Sequence, residues 1–463
     1  MGNIEIKRIS VNDIDQLQQI GRQTFYETFS AGNTEKNIQF ITRIRRNENN
    51  MIKCINFILM FFLTQTVFAG TIDFWDIQRK GANFFPNNPR SERFQDAAKA
   101  GILLGRLAPN KWLNGRTEVH PGDFLLGPKN AYTGIVEEDL KYLIQVLDDA
   151  NRAGIKIVLT MLSLPGSRWL QHNYVNGKYT QQYDLWRNFQ YHNQAASFWR
   201  ELAKALKNHP AIVGYNIINE PCPERAYSTN FRDWYTMDYN KWYKGIKGTP
   251  ADLNLFYKTV IKAIREVDKE TPIVLDAGFY ANPYALQILD PTVIQDNKII
   301  YSIHNYEPSR FLSKDNTEQY RYPGNFPTGE LDSPHDKDAQ LPYAPIEYWD
   351  KEKIRLYFQV VKEWMKKYHI PANRIYVGEF GGNRQAPGLI DYFNDLITFM
   401  NENKWHWSFY AYREDDGFPM MDYELGTNDL SEKYWKSSVD YTCEKDGIYK
   451  PNSLWTVIIN GLK

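Results

Sequence analysis

The chain has 463 residues, with 55 Lys plus Arg against 55 Asp plus Glu, so its formal net charge is zero. That balance gives no general electrostatic reason to bind nucleic acid or an anionic membrane. With 24% charged and 43% hydrophobic residues, disorder is excluded for the bulk of the chain. The outlying number is the aromatic fraction, 15%, which suits both a core and a cleft that stacks on flat apolar faces such as sugar rings. Cys54, Cys222 and Cys443 form no CxxC pair and no Cys/His cluster at zinc spacing. A disulfide framework and a structural zinc are therefore excluded, and a single Cys222–Cys443 bridge is left open.

In chain order, residues 1–46 read as a strand, an Asp-capped amphipathic helix and a second helical start (IEIKRISVNDIDQLQQIGRQTFYETF). The stretch resembles the N-terminal strand and helices of GNAT-type acetyltransferases, without the Gly-rich turn such enzymes use to hold the pyrophosphate of acetyl-CoA. So short a piece cannot bury a core of its own. The expectation is a truncated, non-functional fragment, either a gene-fusion remnant or a misassigned start with translation beginning at Met51. Residues 51–69 follow the basic Arg43, Arg45 and Arg46. They carry Lys53, an apolar run from Ile55 to Leu63, and Val67-Phe68-Ala69 before Gly70. This is the layout of a secretory signal peptide, too short in its apolar part to span a bilayer. The expected mature chain is 70–463, secreted to the periplasm or the extracellular space.

From Gly70 onward, strand and helix signals alternate. Strands are predicted at Gly81–Phe85, Leu103–Ala108, Ile155–Leu162, Ile212–Asn219, Pro272–Ala277, Ile299–Asn305, Arg374–Glu379 and Trp405–Tyr412. Between them, apolar residues at three- and four-residue spacing predict helices at Glu137–Ala153, Tyr191–Lys207, Leu253–Val267, Glu352–Tyr368 and Leu389–Asn403. Eight strands alternating with helices predict a (β/α)8 barrel; a doubly wound sheet is disfavoured because no GxGxxG follows the first strand. Two connections, about 222–252 and 307–351, are long and rich in Tyr, Trp, Phe and Pro. Following strands four and six, they are expected on the C-terminal face, where such barrels build active sites.

Two motifs carry chemistry. Ile217-Ile218-Asn219-Glu220-Pro221 puts a carboxylate at the end of strand four, and Tyr376-Val377-Gly378-Glu379-Phe380-Gly381-Gly382 puts another at the end of strand seven. Either alone is an ordinary strand-end Glu. Opposed across a barrel mouth, they are the pair that glycosidic cleavage needs, one protonating the leaving oxygen while the other attacks the sugar carbon or activates water. Here the sequence resembles glycoside hydrolase family 5, the cellulase family, over about Lys80 to Arg413. The resemblance implies Glu220 as general acid/base and Glu379 as nucleophile. It implies Asn219 against the sugar 2-hydroxyl, and Arg106 (Leu104-Gly105-Arg106-Leu107) keeping Glu379 ionised. Within Ser302-Ile303-His304-Asn305-Tyr306 it implies that His304 contacts substrate or Glu220 and that Tyr306 orients the nucleophile. Two positions depart from the family pattern: Leu162 stands where strand three usually ends in histidine. Near strand eight, Tyr410 takes the place of the tryptophan that floors the sugar site, with Trp407 three residues earlier.

The function implied is a secreted, retaining, monomeric β-glycoside hydrolase on a β-linked polysaccharide or oligosaccharide. It would use no metal or organic cofactor and act most simply as an endo-β-1,4-glucanase. A β-mannanase, a β-1,3/1,6-glucanase and a non-catalytic carbohydrate-binding barrel are the alternatives.

Overall fold

The computed structural model describes residues 70–112, 122–128, 132–168, 174–175, 178–227, 238–313, 316, 319–327, 346–414, 419–427 and 451–463. Residues 1–46, expected to be an acetyltransferase-like remnant, residues 51–69, expected to be a signal peptide, and Cys443 lie outside these residues.

Eight parallel strands close into a barrel: β1 Lys80–Phe84, β2 Leu104–Leu107, β3 Lys156–Thr160, β4 Ile212–Asn216, β5 Ile273–Asp276, β6 Ile299–Asn305, β7 Ile375–Phe380 and β8 His406–Phe409. Each strand pairs with its sequence neighbours, and β8 returns to β1 through Lys80↔Trp407. The predicted strands all stand: β6 keeps its predicted bounds, β1 and β7 are displaced by one residue, and the other five are shorter; β4 stops at Asn216, so Asn219 and Glu220 sit on the turn beyond it.

Strand alternation sorts the barrel interior into two layers. Lower down, Leu104, Val158, Val274, Ile300 and Tyr376 point inward and pack on Phe74 and Trp75. These two belong to the 3-10 turn Ile72–Asp76, which plugs the N-terminal mouth, with Nε1 of Trp75 donating to the carbonyl of Val213 (2.9 Å). One step up the same strands the inward residues turn polar: Arg106, Thr160, Asn216, Asp276 and Ser302, all fully buried. A dry plug below and a polar layer above give the barrel one reactive end.

The surrounding helices are α1 Ser91–Lys99, α2 Glu137–Arg152, α3 Phe189–Leu206, α4 Leu253–Val267, α5 Gln359–Tyr368, α6 Leu389–Glu402 and α7 Ser453–Leu462. Capping fixes some starts: Asp252 accepts from the backbone N–H groups of Asn254 and Leu255 at the head of α4. The helix expected over 352–368 is broken. Lys351–Tyr357 ends at Phe358, whose ring stacks on Phe399 (5.2 Å, 17°) and meets Trp405 edge-on, so tertiary packing overrides local periodicity. The two long connections carry structure of their own, the helix Tyr239–Ile246 after β4 and an antiparallel ribbon of Gly324–Pro327 with Ile346–Trp349 after β6.

Candidate active site

Glu379 reaches the barrel mouth through an irregularity in β7. Tyr376 faces inward, so regular alternation would turn residue 379 outward. The register with β6 slips between Val377 and Glu379, a bulge that re-aims the side chain into the barrel. Gly378 makes this feasible, since a Cβ there would stand 2.7 Å from Oγ of Ser302 and 3.0 Å from Nε2 of His304.

The Glu379 carboxylate is nearly buried and held at both oxygens. Nη1 of Arg106 donates to Oε1 (2.6 Å), and the Tyr306 hydroxyl donates to Oε2 (2.7 Å). Burial pushes this carboxyl above its ordinary value, while the Arg106 charge and the Tyr306 hydrogen bond pull it back and Asp276 adds to the rise. Arg106 favours the charged form of Glu379, and desolvation together with a second buried carboxylate, Asp276, works against it. Arg106 itself has no solvent exposure. Burial would lower its pKa, but Asp276 and Glu379 more than offset that, and it ends above its usual value. Its remaining donors go to Asn83 Oδ1 (3.1 Å), Asn216 Oδ1 (2.7 Å), Asn219 Oδ1 (2.7 Å) and Asp276 Oδ2 (3.2 Å). The planar fork is what lets one cation order four strands at once.

Glu220 stands on the turn after β4 with φ +47°, in the left-handed region. Its backbone N–H donates to Asp276 Oδ2 (3.1 Å), and its Oε1 lies 2.8 Å from Nδ1 of His304. Burial, and then the Arg106 charge, hold His304 well below its ordinary pKa, so the imidazole is neutral. A carboxylate oxygen of Glu220, one of Glu379 and a ring nitrogen of His304 lie within 4.8 Å of one another. Among the described residues these three donors are also close enough to ligate a cation. The Arg106 guanidinium bonded to Glu379 opposes a second positive charge there.

The other expected residues fall around this centre. Asn219 is buried, and with its Oδ1 taken by Arg106 its amide donors face away from that cation. Leu162 lies just beyond β3 in an apolar cluster with Phe85 and Ala108, against which Tyr410 packs. Tyr410 meets Phe85 edge-on at 5.5 Å. Trp407 is directed away, into the helix layer, where its Nε1 donates to Asn401 (3.0 Å). Cys222 is buried two residues past Glu220. Sequence reading missed Asp276, Asn83 and Asn216, although period-two counting upward from the apolar layer reaches Asp276 from Val274.

Residues 109–416 match the family model described as cellulase (glycosyl hydrolase family 5). A β-xylosidase of Phanerodontia chrysosporium is 24% identical over 296 residues, 61% of this chain and 50% of that protein. An endoglycoceramidase of Hydra vulgaris is 32% identical over 133 residues, 27% of this chain and 22% of that one. The chain thus spans about half the length, or less, of these curated relatives. Endoglucanase Cel5A of the hyperthermophile Thermotoga maritima shares the fold with a TM-score of 0.51 at 16% identity, over 84% of this chain and 99% of that one.

Proposed function

The chain belongs to glycosyl hydrolase family 5, and from that premise we propose that it hydrolyses a β-linked glycan by double displacement with net retention. The observation that carries this reading is the approach of the Glu220 and Glu379 carboxylates within 4.8 Å. Retaining enzymes hold their pair roughly 5–5.5 Å apart, whereas inverting ones need about 6.5–9.5 Å to admit a water.

Glu379, aligned by Arg106 and Tyr306, attacks the anomeric carbon as the glycosidic bond breaks, and Glu220 delivers its proton to the departing oxygen. The carboxylate becomes an ester, so its charge disappears beside Glu220. Glu220, now ionised, takes a proton from water as that water attacks the anomeric carbon, releasing Glu379. The Nδ2 donors of Asn219 meet the sugar 2-hydroxyl, and Tyr410 lies under the glycone with the apolar group of Phe85, Ala108 and Leu162. Residues 51–69 direct export, with the exported chain starting after Ala69. N-terminal sequencing beginning at or near Gly70 supports that, and a start before residue 50 refutes it.

An endo-β-1,4-glucanase is the first substrate reading. The match to an endoglycoceramidase favours a second, a β-glycoside with an apolar aglycone. A panel of aryl β-cellobioside, carboxymethyl cellulose, mannan and a lactosylceramide separates them. The mechanism is tested with Glu379→Ala, expected to abolish turnover of aryl β-cellobioside and, with azide, to yield the α-glycosyl azide. A substituted enzyme that keeps wild-type turnover, or wild-type hydrolysis with inverted product, overturns the proposal.

A further inference from the structure

Asp276 closes β5 inside the polar layer, fully buried, and belongs to neither motif that carries the two glutamates. Its Oδ2 accepts from Nη2 of Arg106 (3.2 Å) and from the backbone N–H of Glu220 (3.1 Å), and its Oδ1 accepts from Nδ2 of Asn216 (3.1 Å). The same Oδ2 faces Nε2 of His304 at 3.5 Å, a nitrogen with no hydrogen-bond partner of its own. The other nitrogen of that ring is the one beside Glu220. One carboxylate therefore touches the support of both glutamates: the arginine that grips Glu379, and the backbone and imidazole that fix Glu220. Glu220 needs such a hold, because φ +47° is a conformation that a residue bearing a side chain adopts only when its surroundings impose it.

We propose that Asp276 is a positioning residue of the reaction: it sets acid/base and nucleophile relative to one another, and its charge competes with Glu379 for Arg106. The inference rests on the hydrolase reading above and deepens it. The groups facing Glu379 are Arg106 from β2, Asp276 from β5, His304 and Tyr306 from the end of β6, Glu220 from the turn after β4, Tyr376 from β7 and Tyr410 from beyond β8. The two anions that face it across this shell are Glu220, which the cycle itself protonates and deprotonates, and Asp276. Without the charge of Asp276, Arg106 is left to Glu379, which then ionises at lower pH.

The test is Asp276→Asn, assayed with 4-nitrophenyl β-cellobioside from pH 3 to 9 on the full chain. Wild type must first give a bell-shaped profile of kcat/KM. If it shows no hydrolysis of any panel substrate, the functional reading itself fails, whatever the variant does. Given that profile, the expected result is a fall in kcat of about 100-fold, the scale on which an ångström of misplacement acts, with KM changed far less. The acid limb should move down by about one pH unit. A limb that stays at the wild-type pH overturns the inference, since lost packing alone lowers activity without moving it. If the Asn variant does not fold, Asp276→Ser, which removes the charge and leaves room for a water, is judged on the same two quantities.

Discussion

At the scale of single residues, the barrel mouth is governed by what surrounds Glu379. Desolvation and Asp276 raise its pKa, and Arg106 and Tyr306 lower it. Tyr306→Phe deletes one hydrogen bond to the ionised form and leaves the ring in place, so the carboxyl should ionise at higher pH. The acid limb of kcat/KM is expected to move up, opposite in sign to the shift for Asp276→Asn, with kcat down about tenfold for a lost charge-assisted hydrogen bond. A pH profile checks the sign directly. The residues behind these effects were unequally legible. Glu220, Asn219, Arg106, His304 and Tyr306 stand in short motifs at strand ends, where a polar residue after an apolar run has few structural uses. Asp276 ends Ile-Val-Leu-Asp, which reads as an ordinary strand leading into a turn. Its role appears only when closure of the barrel brings β2, β4, β5 and β6 together. The β7 bulge was hidden for the same reason, because it exists relative to a neighbouring strand.

At the scale of elements, the turn after β4 is clamped to the segment after β5 by Glu224. This carboxylate is fully buried at the start of the helix Pro223–Tyr227, and its Oε2 accepts from the backbone N–H of Phe279 (3.0 Å). Phe279, Tyr280 and Ala281 all have positive φ, and a Cβ at Gly278 would collide with Glu224, so glycine and the carboxyl fit each other. Burial pushes the Glu224 carboxyl up to about 7, from 4.5. The sign follows from linkage: between those values the folded protein holds a proton that the unfolded chain has released. Stability therefore falls as pH rises from about 4.5 to about 7 and stays low above it, by on the order of 3 kcal/mol for a fully buried group. Glu224→Gln removes the ionisation. It should leave the melting temperature unchanged near pH 4.5 and raise it relative to wild type at pH 8. Elements of this kind were only partly readable. Five helices followed from periodicity, whereas α1 and α7 were not anticipated, and the break at Phe358 depends on a stack with Phe399 that lies 41 positions away in sequence.

At the scale of the whole molecule, the barrel separates stability from chemistry along its axis. The fold class was legible because eight alternating units leave few ways to close a parallel sheet, but the plug Ile72–Asp76 was not: a five-residue turn has no periodicity, and Trp75 looks like any aromatic that follows an apolar run. Its indole is fully buried, meets Tyr376 and His406 edge-on at 5.7 and 4.8 Å, and donates to Val213. Trp75→Ala empties that volume and strands a carbonyl acceptor, at a cost of about 3–5 kcal/mol. Thermal melting should show the loss. The apolar layer of Leu104, Val158, Val274 and Ile300 stands between the plug and Arg106, and the Arg106 contacts are all made above it. So at a temperature where the variant remains folded, KM and both limbs of the pH profile should match wild type. A shift of the acid limb in Trp75→Ala would mean that the two layers are mechanically coupled, and that the polar layer owes its geometry to the plug and not to its own hydrogen bonds.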